Sequence, residues 1–147
     1  MVRFARKSDL DALVQLEHLG FDTDRFSRRQ FRYYLSRPRP MVLVEERGSA
    51  VIGMAVVSWR QNGRRAHLYS IVVHPHWRGR GIGKRLLDEA ERFLQSQGVA
   101  AMSLEVRRDN LQAQRMYERF GYVPIAVVPS YYSDGETAVR YTKAFTP

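Results

Sequence analysis

The sequence predicts a mixed α/β fold built around a mostly antiparallel sheet. Its elements follow the order strand, two helices, three strands, helix, strand, helix, two strands. Short alternating apolar runs indicate the strands, and apolar residues three and four positions apart indicate the helices. The glycine-rich stretch "HPHWRGRGIGKRLL" separates an apolar run from the clearest helical pattern. Because 147 residues is an ordinary size for one domain, we expect a single domain over residues 1–147.

In the first half of the chain, residues 2–4 alternate like a strand and two helices follow. Ser8 with Asp11 predicts a capping box for the first helix, and Ser27 with Gln30 predicts one for the second. A proline pair ends the second helix. The runs "MVLVEE" and "VIGMAVVSWR", joined by "RGSA", predict an antiparallel hairpin, and "HLYSIVV" is the next strand.

In the second half, residues 82–94 carry the clearest helical periodicity, and Gly98 stands where a helix ends. "AMSLEVR" alternates like a strand. Asp109 or Asn110 can cap the last helix, which Gly121 ends. "YVPIAVVPSYY" and "TAVRYTKAF", joined by the turn "SDGE", predict a closing hairpin.

The composition is that of a globular chain with a basic balance. Apolar residues make up 44% of it, and its formal net charge is +9. No apolar run could span a bilayer, the first residues lack the apolar core of a signal peptide, and cysteine is absent. We therefore expect a cytoplasmic protein without membrane contact or disulfides.

The positive charge favours an anionic ligand or an anionic setting such as a nucleoprotein particle. The arginines are dispersed along the chain and form no basic tail. The sequence therefore favours a solvated basic surface over direct nucleic-acid binding, which it leaves open.

The glycine-rich turn has the properties of an anion site, because a helix N-terminus offers unpaired backbone N–H groups and partial positive charge. Residues 78–84, "RGRGIGK", supply that turn. Lys84 is followed by Arg85, so the spacing is not that of the nucleotide-binding loop ending in Gly-Lys-Ser/Thr. It also lacks the complete dinucleotide fingerprint. Alone, the turn is as consistent with a tight structural bend as with a phosphate cradle.

Two motifs resemble those of the GNAT superfamily of N-acetyltransferases. "RGRGIG", residues 78–83, is similar to its R/Q-x-x-G-x-G/A acyl-CoA motif. The Asn-x-x-Ala-x-x-x-Tyr-x-x-x-Gly-aromatic motif is matched by Asn110, Ala113, Tyr117, Gly121 and Tyr122. The element order also resembles the GNAT acyl-CoA N-acyltransferase fold, a central mixed, mostly antiparallel seven-stranded sheet flanked by about four helices.

The resemblance implies acetyl-CoA as cosubstrate. Its pyrophosphate would lie on the N–H groups of the glycine-rich turn, and its pantetheine arm would pair like a strand with residues 71–73. Asn110 would hold the same arm. The implied cofactor-binding residues are Ile71, Val72, Val73, Arg78, Gly79, Arg80, Gly81, Ile82, Gly83, Lys84 and Asn110.

Acetyl transfer needs a neutral amine and a proton for the departing thiolate. Tyr117 is the predicted acid, because tyrosine is protonated at neutral pH. The alternative for Tyr117 is a buried aromatic whose hydroxyl is satisfied. "SLEVRRDN" resembles the bacterial ribosomal-protein-alanine N-acetyltransferases, which implies that Glu105 is the base. The alternative for Glu105 is a surface pair with Arg107, on the same face of the strand.

The stretch "SYYSDGETAVRY" resembles the peptide-gripping hairpin of protein N-terminal acetyltransferases, which implies that Tyr131 and Tyr132 line the acceptor groove. Strand-favouring aromatics beside a turn are the alternative. The loop "LGFDTDRFS" lacks a proline often found there in close relatives, so the preferred first residue of the acceptor stays open. His74 and His76 have no further ligand cluster, and we expect no metal site.

We therefore expect a protein N-alpha-acetyltransferase of the ribosomal-protein-alanine type. Its amine substrate attacks acetyl-CoA directly in a ternary complex, since no cysteine exists to carry the acetyl group. The expected partner is a protein N-terminus or peptide, in a ribosomal setting that the charge favours, and the enzyme is a monomer or homodimer. The alternative acceptors are lysine, a small-molecule amine and aminoacyl-tRNA. A non-catalytic acyl-CoA-binding module is the alternative of another class, against which the joint presence of Glu105 and Tyr117 argues.

Overall fold

The computed structural model describes residues 1–146, which form one seven-stranded sheet with helices on both faces. The strands are β1 (Val2–Phe4), β2 (Met41–Arg47), β3 (Ala50–Trp59), β4 (Arg65–Val73), β5 (Ala101–Arg107), β6 (Val123–Val128) and β7 (Ala138–Ala144). The helices are α1 (Leu10–Gly20), α2 (Arg28–Leu35), α3 (Ile82–Ser96) and α4 (Leu111–Arg119). This order confirms the predicted fold class.

The sheet has the strand order β1-β2-β3-β4-β5-β7-β6. Every neighbouring pair is antiparallel except β4 and β5, which are parallel. A parallel pair needs a crossover connection, and α3 provides it. The one parallel pair therefore lies in the middle of the sheet, and its β4 strand ends shortly before the glycine-rich turn that leads into α3.

Two apolar clusters hold the helices to the sheet. On one face, Leu86 and Leu94 of α3 pack with β-strand residues and with Tyr117 of α4. On the other face, Leu13 of α1 and Phe31 of α2 are fully buried against β2, β3 and β4. Each such buried side chain contributes about 1.5–3 kcal/mol. The two clusters fix the helices, and thereby the loops that follow them.

The helix ends confirm most of the local signals. Ser27 Oγ accepts a hydrogen bond from the backbone N–H of Gln30, whose side chain accepts from the N–H of Ser27 in return. Gly98 ends α3 with a φ of +83°. The capping box predicted at Ser8 is wrong. Instead, the carboxylate of Asp9 accepts a hydrogen bond from the backbone N–H of Arg6, because an ion pair with Arg3 holds the carboxylate in place.

The closing hairpin forms, but with a longer loop than the sequence predicted. β6 and β7 pair antiparallel, and residues 129–137 connect them. Tyr131 and Tyr132 lie in this connection rather than in a strand. The predicted turn is present inside the loop, where Gly135 has a φ of +88° and donates its N–H to the carbonyl of Tyr132. Within residues 1–146, no helix is both long and apolar enough to cross a membrane.

Candidate active site

A wide cleft opens where β4 and β5 separate. The two strands pair only from Arg65 opposite Ala101 to His67 opposite Ser103. Beyond that point residues 68–73 and 104–107 are no longer paired with each other, and the space between them has a volume of about 1260 Å³. The inner face of α4 and the loops that follow α1 and β6 complete its walls.

A β-bulge in β4 lies at the start of this separation. Leu68 and Ser70 are opposite consecutive residues of β3, so Tyr69 is an extra residue in the strand. One extra residue bends the strand and reverses the face to which later side chains point. Leu68 accordingly packs on the side of α3, whereas Val72 packs on the side of α1.

Past the bulge, β4 presents an open backbone edge to the cleft. The carbonyl of Val73 accepts a hydrogen bond from Nε of Arg78 at 3.2 Å, which places this carbonyl on the cleft side of the strand. Alternate residues of a strand direct their backbone groups to the same side, so Ile71 also faces the cleft and Val72 faces β3. An extended chain of amides can pair with such an edge.

The glycine-rich turn follows this edge directly. Gly79 and Gly81 both have a φ of +78°, in the left-handed region that residues with a Cβ rarely adopt. α3 begins at Ile82, so the first N–H groups of the helix have no partner inside it. The helix dipole adds partial positive charge at the same place. The turn therefore suits a phosphate or pyrophosphate group.

The cleft contains most, but not all, of the predicted cofactor-binding residues. Those that line it are Ile71, Val72, Val73, Arg78, Gly79, Gly81 and Asn110. Arg80 lies outside and stacks on a tryptophan ring at 4.8 Å. Lys84 forms an ion pair at 2.8 Å with an aspartate one turn later, and Ile82 is buried in the core. Gly83 is beside the cleft wall, where a Cβ would lie 3.9 Å from Val73 Cγ2.

Asn110 caps α4 and also lines the cleft. Its Oδ1 accepts a hydrogen bond from the backbone N–H of Ala113 at 3.1 Å. Its Nδ2 group has no hydrogen-bond partner within residues 1–146. One side chain can therefore hold the helix start and still donate to a bound ligand.

Tyr117 projects from α4 with its ring buried and its hydroxyl at the cleft. Burial raises the pKa of this hydroxyl. In the part of the chain that the structure describes, the hydroxyl forms no hydrogen bond, and no fully buried polar side-chain atom lacks a partner. The hydroxyl must therefore reach the open cleft. The hydroxyls of Tyr122 and Tyr141, by contrast, bond to Glu91 and Glu118 at 2.9 and 2.7 Å.

Glu105 lies mid-strand in β5 with only 7% of its side chain exposed. Arg140 of β7, directly opposite in the ladder, donates through Nε to Oε2 at 2.7 Å. Nε2 of His67 lies 2.5 Å from Oε1, and the hydroxyl of Tyr131 donates to the same oxygen at 3.1 Å. Burial raises the pKa of Glu105, but the contacts with His67, Arg140 and Tyr131 outweigh it and hold the pKa at about 2.

The alternative pair between Glu105 and Arg107 is not formed. Arg107 instead donates to Asp134 of the β6–β7 loop at 2.5 Å, and its guanidinium lies 4.8 Å above the ring of Tyr132. Burial and the Glu105 carboxylate raise the pKa of Tyr131 to about 12. The loop is thus held over the cleft by contacts with β5, which explains why the two tyrosines leave the strand.

His67 and Arg140 are site residues that the sequence analysis missed. His67 lines the cleft at the last paired position of β4, and its ring meets the carboxylate of Glu105. In the sequence His67 is only a lone histidine in an apolar strand. Its position beside Glu105 cannot be inferred without knowing that β4 pairs with β5. Arg140 becomes visible only from the β5–β7 register.

Two loops meet at the opposite mouth of the cleft. Asp24, in the loop between α1 and α2, accepts the backbone N–H of Ser133 at 3.3 and 3.4 Å through its two carboxylate oxygens. Ser133 belongs to the loop that carries Tyr131 and Tyr132. The contact bridges loops more than 100 residues apart in sequence, at a part of the cleft wall that Asp24 lines.

Glu17 is a second residue that the sequence analysis missed. Its buried carboxylate accepts the backbone N–H of Phe26 at 2.9 Å and the hydroxyl of Ser70 at 3.1 Å. Burial raises the pKa of Glu17. The carboxylate ties the α1–α2 loop to β4, so it positions the loop that bears Asp24.

Metal ligation has no support in the described residues. Within residues 1–146, no three His, Cys, Asp or Glu side chains are grouped to hold a metal ion. His74 and His76 contact each other, with Nδ1 of His74 accepting the backbone N–H of His76 at 3.1 Å.

Comparison with known proteins gives a family and two informative relatives. A profile of the acetyltransferase (GNAT) family matches residues 8–122. An uncharacterized N-acetyltransferase of Methanocaldococcus jannaschii is 32% identical over 146 residues, covering 97% of this chain and 90% of the relative. A putative [ribosomal protein bS18]-alanine N-acetyltransferase of Bacillus subtilis is 28% identical over 139 residues, covering 94% and 91%.

Solved structures share the fold. The ribosomal-protein-S18-alanine N-acetyltransferase from Escherichia coli superposes with a TM-score of 0.87 at 24% identity, covering all of this chain and 94% of that one. A putative acetyltransferase from Salmonella typhimurium, solved with its cofactor acetyl-CoA, gives 0.84 at 21% identity, also covering all of this chain and 94% of the other. At these identities the matches establish the likeness of fold.

Proposed function

The chain belongs to the GNAT family of acetyltransferases, and on that premise we propose that it acetylates the N-terminal α-amine of a protein with acetyl-CoA as donor. One observation carries the proposal. A single cleft has an anion cradle and an open strand edge at one end, and a carboxylate, an imidazole and a tyrosine-lined mouth at the other. The donor and the acceptor can therefore meet inside it.

The donor end fits the parts of acetyl-CoA. The N–H groups of the glycine-rich turn suit its pyrophosphate, and Arg78 adds positive charge beside them. The backbone groups of Ile71 and Val73 suit the amides of the pantetheine arm, to which Asn110 Nδ2 can also donate. Acetyl-CoA supplies an acetyl thioester, the activated group that an amine attacks.

Proton acceptance is assigned to Glu105 together with His67. Moving a proton from an amino terminus with a pKa of about 8 to a carboxylate with a pKa of about 2 costs about 8 kcal/mol, so Glu105 alone is a weak base. An imidazole that donates through Nε2 to a carboxylate keeps Nδ1 as an acceptor. In the proposal His67 takes the proton, and its contact with Glu105 orients the ring.

Proton donation is assigned to Tyr117. Its hydroxyl is protonated at neutral pH and reaches the cleft without a partner in residues 1–146. A hydroxyl placed there can hydrogen-bond a developing thiolate and then transfer its proton. Attack by the amine on the thioester is direct, since the chain has no cysteine that could carry the acetyl group.

The acceptor end supports an extended peptide terminus as the substrate. Asp24, Tyr131 and Tyr132 line this end, and the contact between Asp24 and Ser133 joins the two loops that carry them. The Bacillus subtilis relative, named for a ribosomal protein alanine, supports a ribosomal protein N-terminus as the natural acceptor.

The test is incubation with acetyl-CoA and a pool of peptides that differ at the first residue, followed by localisation of each acetyl group by mass spectrometry. We expect acetylation of the α-amine, with a preference for some first residues over others. Acetyl groups found only on lysine side chains, or only on small amines, would contradict the proposed acceptor.

A further inference from the structure

A second cavity lies at the end of the sheet away from the glycine-rich turn. Its volume is about 330 Å³, and it lies where β2 begins and β3 ends. Its lining includes Tyr34, Trp59 and Phe93 together with Arg37 and Arg39. Neither the donor nor the acceptor of the proposed reaction uses it.

The arginines at the rim of this cavity belong to a stretch of the chain that contains no acidic residue. No Asp or Glu occurs between Asp24 and Glu45, or between Glu46 and Asp88. The β2–β3–β4 register brings these two acid-free segments together at one end of the sheet, because Met41 is opposite Val57 and Trp59 is opposite Ala66.

We define the arginine end as Arg37, Arg39, Arg60, Arg64 and Arg65. Within residues 1–146 none of these five forms a salt bridge, whereas Arg3, Arg28 and Arg85 elsewhere are paired with carboxylates. Their charge is therefore unneutralised by the protein itself. An anionic partner is the complement that such a surface favours.

Aromatic rings are interleaved with these arginines. The guanidinium of Arg37 lies 4.3 Å above the ring of Tyr33, which is 51% exposed, and that of Arg39 lies 5.8 Å from the ring of Trp59. Guanidinium groups bind phosphate with two parallel hydrogen bonds and stack on bases, which ammonium groups do not. The cavity is of a size to accept one base, and single-stranded RNA is recognised by stacking unpaired bases on such rings.

We propose that the arginine end binds single-stranded RNA, with phosphates on the arginines and one unstacked base in the cavity between Tyr34, Trp59 and Phe93. The sequence alone favoured a solvated basic surface, because the arginines are dispersed along the chain. The fold brings Arg37 and Arg39 to the cavity and its rings, and it places the other three arginines at the same end of the sheet. RNA is favoured over a membrane because the rings line a cavity or lie beneath a guanidinium rather than projecting as an apolar face.

The test measures binding of a fluorescent oligouridine of about 12 nucleotides by anisotropy over a range of salt concentrations. The double variant Arg37→Gln/Arg39→Gln is expected to weaken binding about tenfold or more and to reduce the slope of log K against log salt by about 1.4, at about 0.7 for each phosphate contact. Tyr33→Leu is expected to weaken binding about fivefold with the slope unchanged, since it removes a stacking surface and no charge.

The matched control is Arg108→Gln/Arg115→Gln, which removes the same charge from two exposed arginines that form no salt bridge within residues 1–146. This control should bind RNA like the parent protein, and thermal unfolding followed by circular dichroism verifies that all variants fold. Equal weakening by the control pair, binding of uridine monophosphate as tight as that of the oligomer, or preferential binding to phosphatidylserine vesicles would each overturn the proposal.

Discussion

At the scale of single residues, the tyrosines around the cleft differ in what their hydroxyls touch. Tyr122, Tyr131 and Tyr141 each donate to a carboxylate. The hydroxyl of Tyr117 has no partner within residues 1–146, although its ring is buried in the same core as that of Tyr122. A hydroxyl that contributes no hydrogen bond to the fold can be removed with little cost in stability, so its role can be measured separately.

Tyr117→Phe is therefore expected to lower kcat by about 100-fold, because it removes the proton donor for the thiolate. The free energy of unfolding should change by less than about 0.5 kcal/mol. The control is Tyr141→Phe, which loses a hydrogen bond to Glu118 and should cost about 1 kcal/mol in stability with kcat retained. Steady-state kinetics and urea denaturation measure both. A Tyr117→Phe enzyme with unchanged kcat would refute the acid assignment.

Glu105 gives a second prediction at this scale, in the pH dependence of stability. Its pKa in the folded protein is about 2, below its ordinary value of 4.5. A depressed pKa means that the folded state binds the proton more weakly than the unfolded state. The carboxylate therefore stabilises the fold above about pH 5, on the order of 3 kcal/mol, and this stabilisation is lost as the pH falls toward 2.

The Glu105→Gln variant should lack the part of the pH dependence of stability that comes from this carboxylate. Urea denaturation of the parent and the variant at a series of pH values from 7 to 2 measures it. The difference in their free energies of unfolding should shrink as the pH falls through the range from about 5 to about 2. A difference that stayed constant over this range would show that His67, Arg140 and Tyr131 do not stabilise the ionised carboxylate in the folded protein.

At the scale of elements, each end of α3 is flanked by a glycine, and the two glycines have the same left-handed backbone conformation. Gly81 precedes the helix with a φ of +78°, and Gly98 follows it with a φ of +83°. A Cβ added at either position would meet nothing within 4 Å. The two positions therefore carry the same conformational demand, but only Gly81 lines the cleft.

Alanine at either glycine should cost about 1 kcal/mol in stability through backbone strain. Only Gly81→Ala should weaken the binding of CoA, by about tenfold, since it disturbs the N–H groups that hold the pyrophosphate. Calorimetric titration measures the affinity of each variant for CoA, and the two variants are expected to lose the same amount of stability. If Gly98→Ala weakened the binding of CoA as much as Gly81→Ala, the loss of affinity would come from the loss of stability. The turn would then not be the pyrophosphate site.

The helices and strands could be predicted from the sequence where they depend on residues that are close together in the chain. Periodicity predicted the strands and helices, and the Ser27 box formed as expected, because capping depends on residues three apart. The Ser8 box failed since Asp9 has a distant partner in Arg3. Partners across the sheet were beyond the sequence analysis. The bulge at Tyr69, the approach of His67 to Glu105 and the pairing of Glu105 with Arg140 all depend on strand registers that no single segment determines.

At the scale of the whole molecule, the cleft has a donor end and an acceptor end formed by different parts of the chain. The donor end is built from consecutive elements, β4, the glycine-rich turn and α3. The acceptor end joins two loops distant in sequence through Asp24 and Ser133. A single substitution can remove this contact between the two loops, while Glu105 and Arg107 still hold the second loop to β5.

Asp24→Ala is expected to raise the KM for a peptide acceptor by about three- to tenfold while leaving the affinity for CoA unchanged, since it releases only the acceptor mouth. Asp24→Asn is the matched control. It keeps an oxygen acceptor and tolerates the positive φ of this position, so its KM should stay close to that of the parent. Equal KM values for all three proteins would mean that the bridge does not shape acceptor binding.

The most direct test of the account uses one peptide that carries both a free N-terminal amine and an internal lysine. The protein is incubated with this peptide and acetyl-CoA, and tandem mass spectrometry locates the added acetyl group. We predict that it lies on the α-amine, and that blocking the N-terminus in advance abolishes the reaction. Acetylation of the lysine, with or without the block, would contradict the central claim.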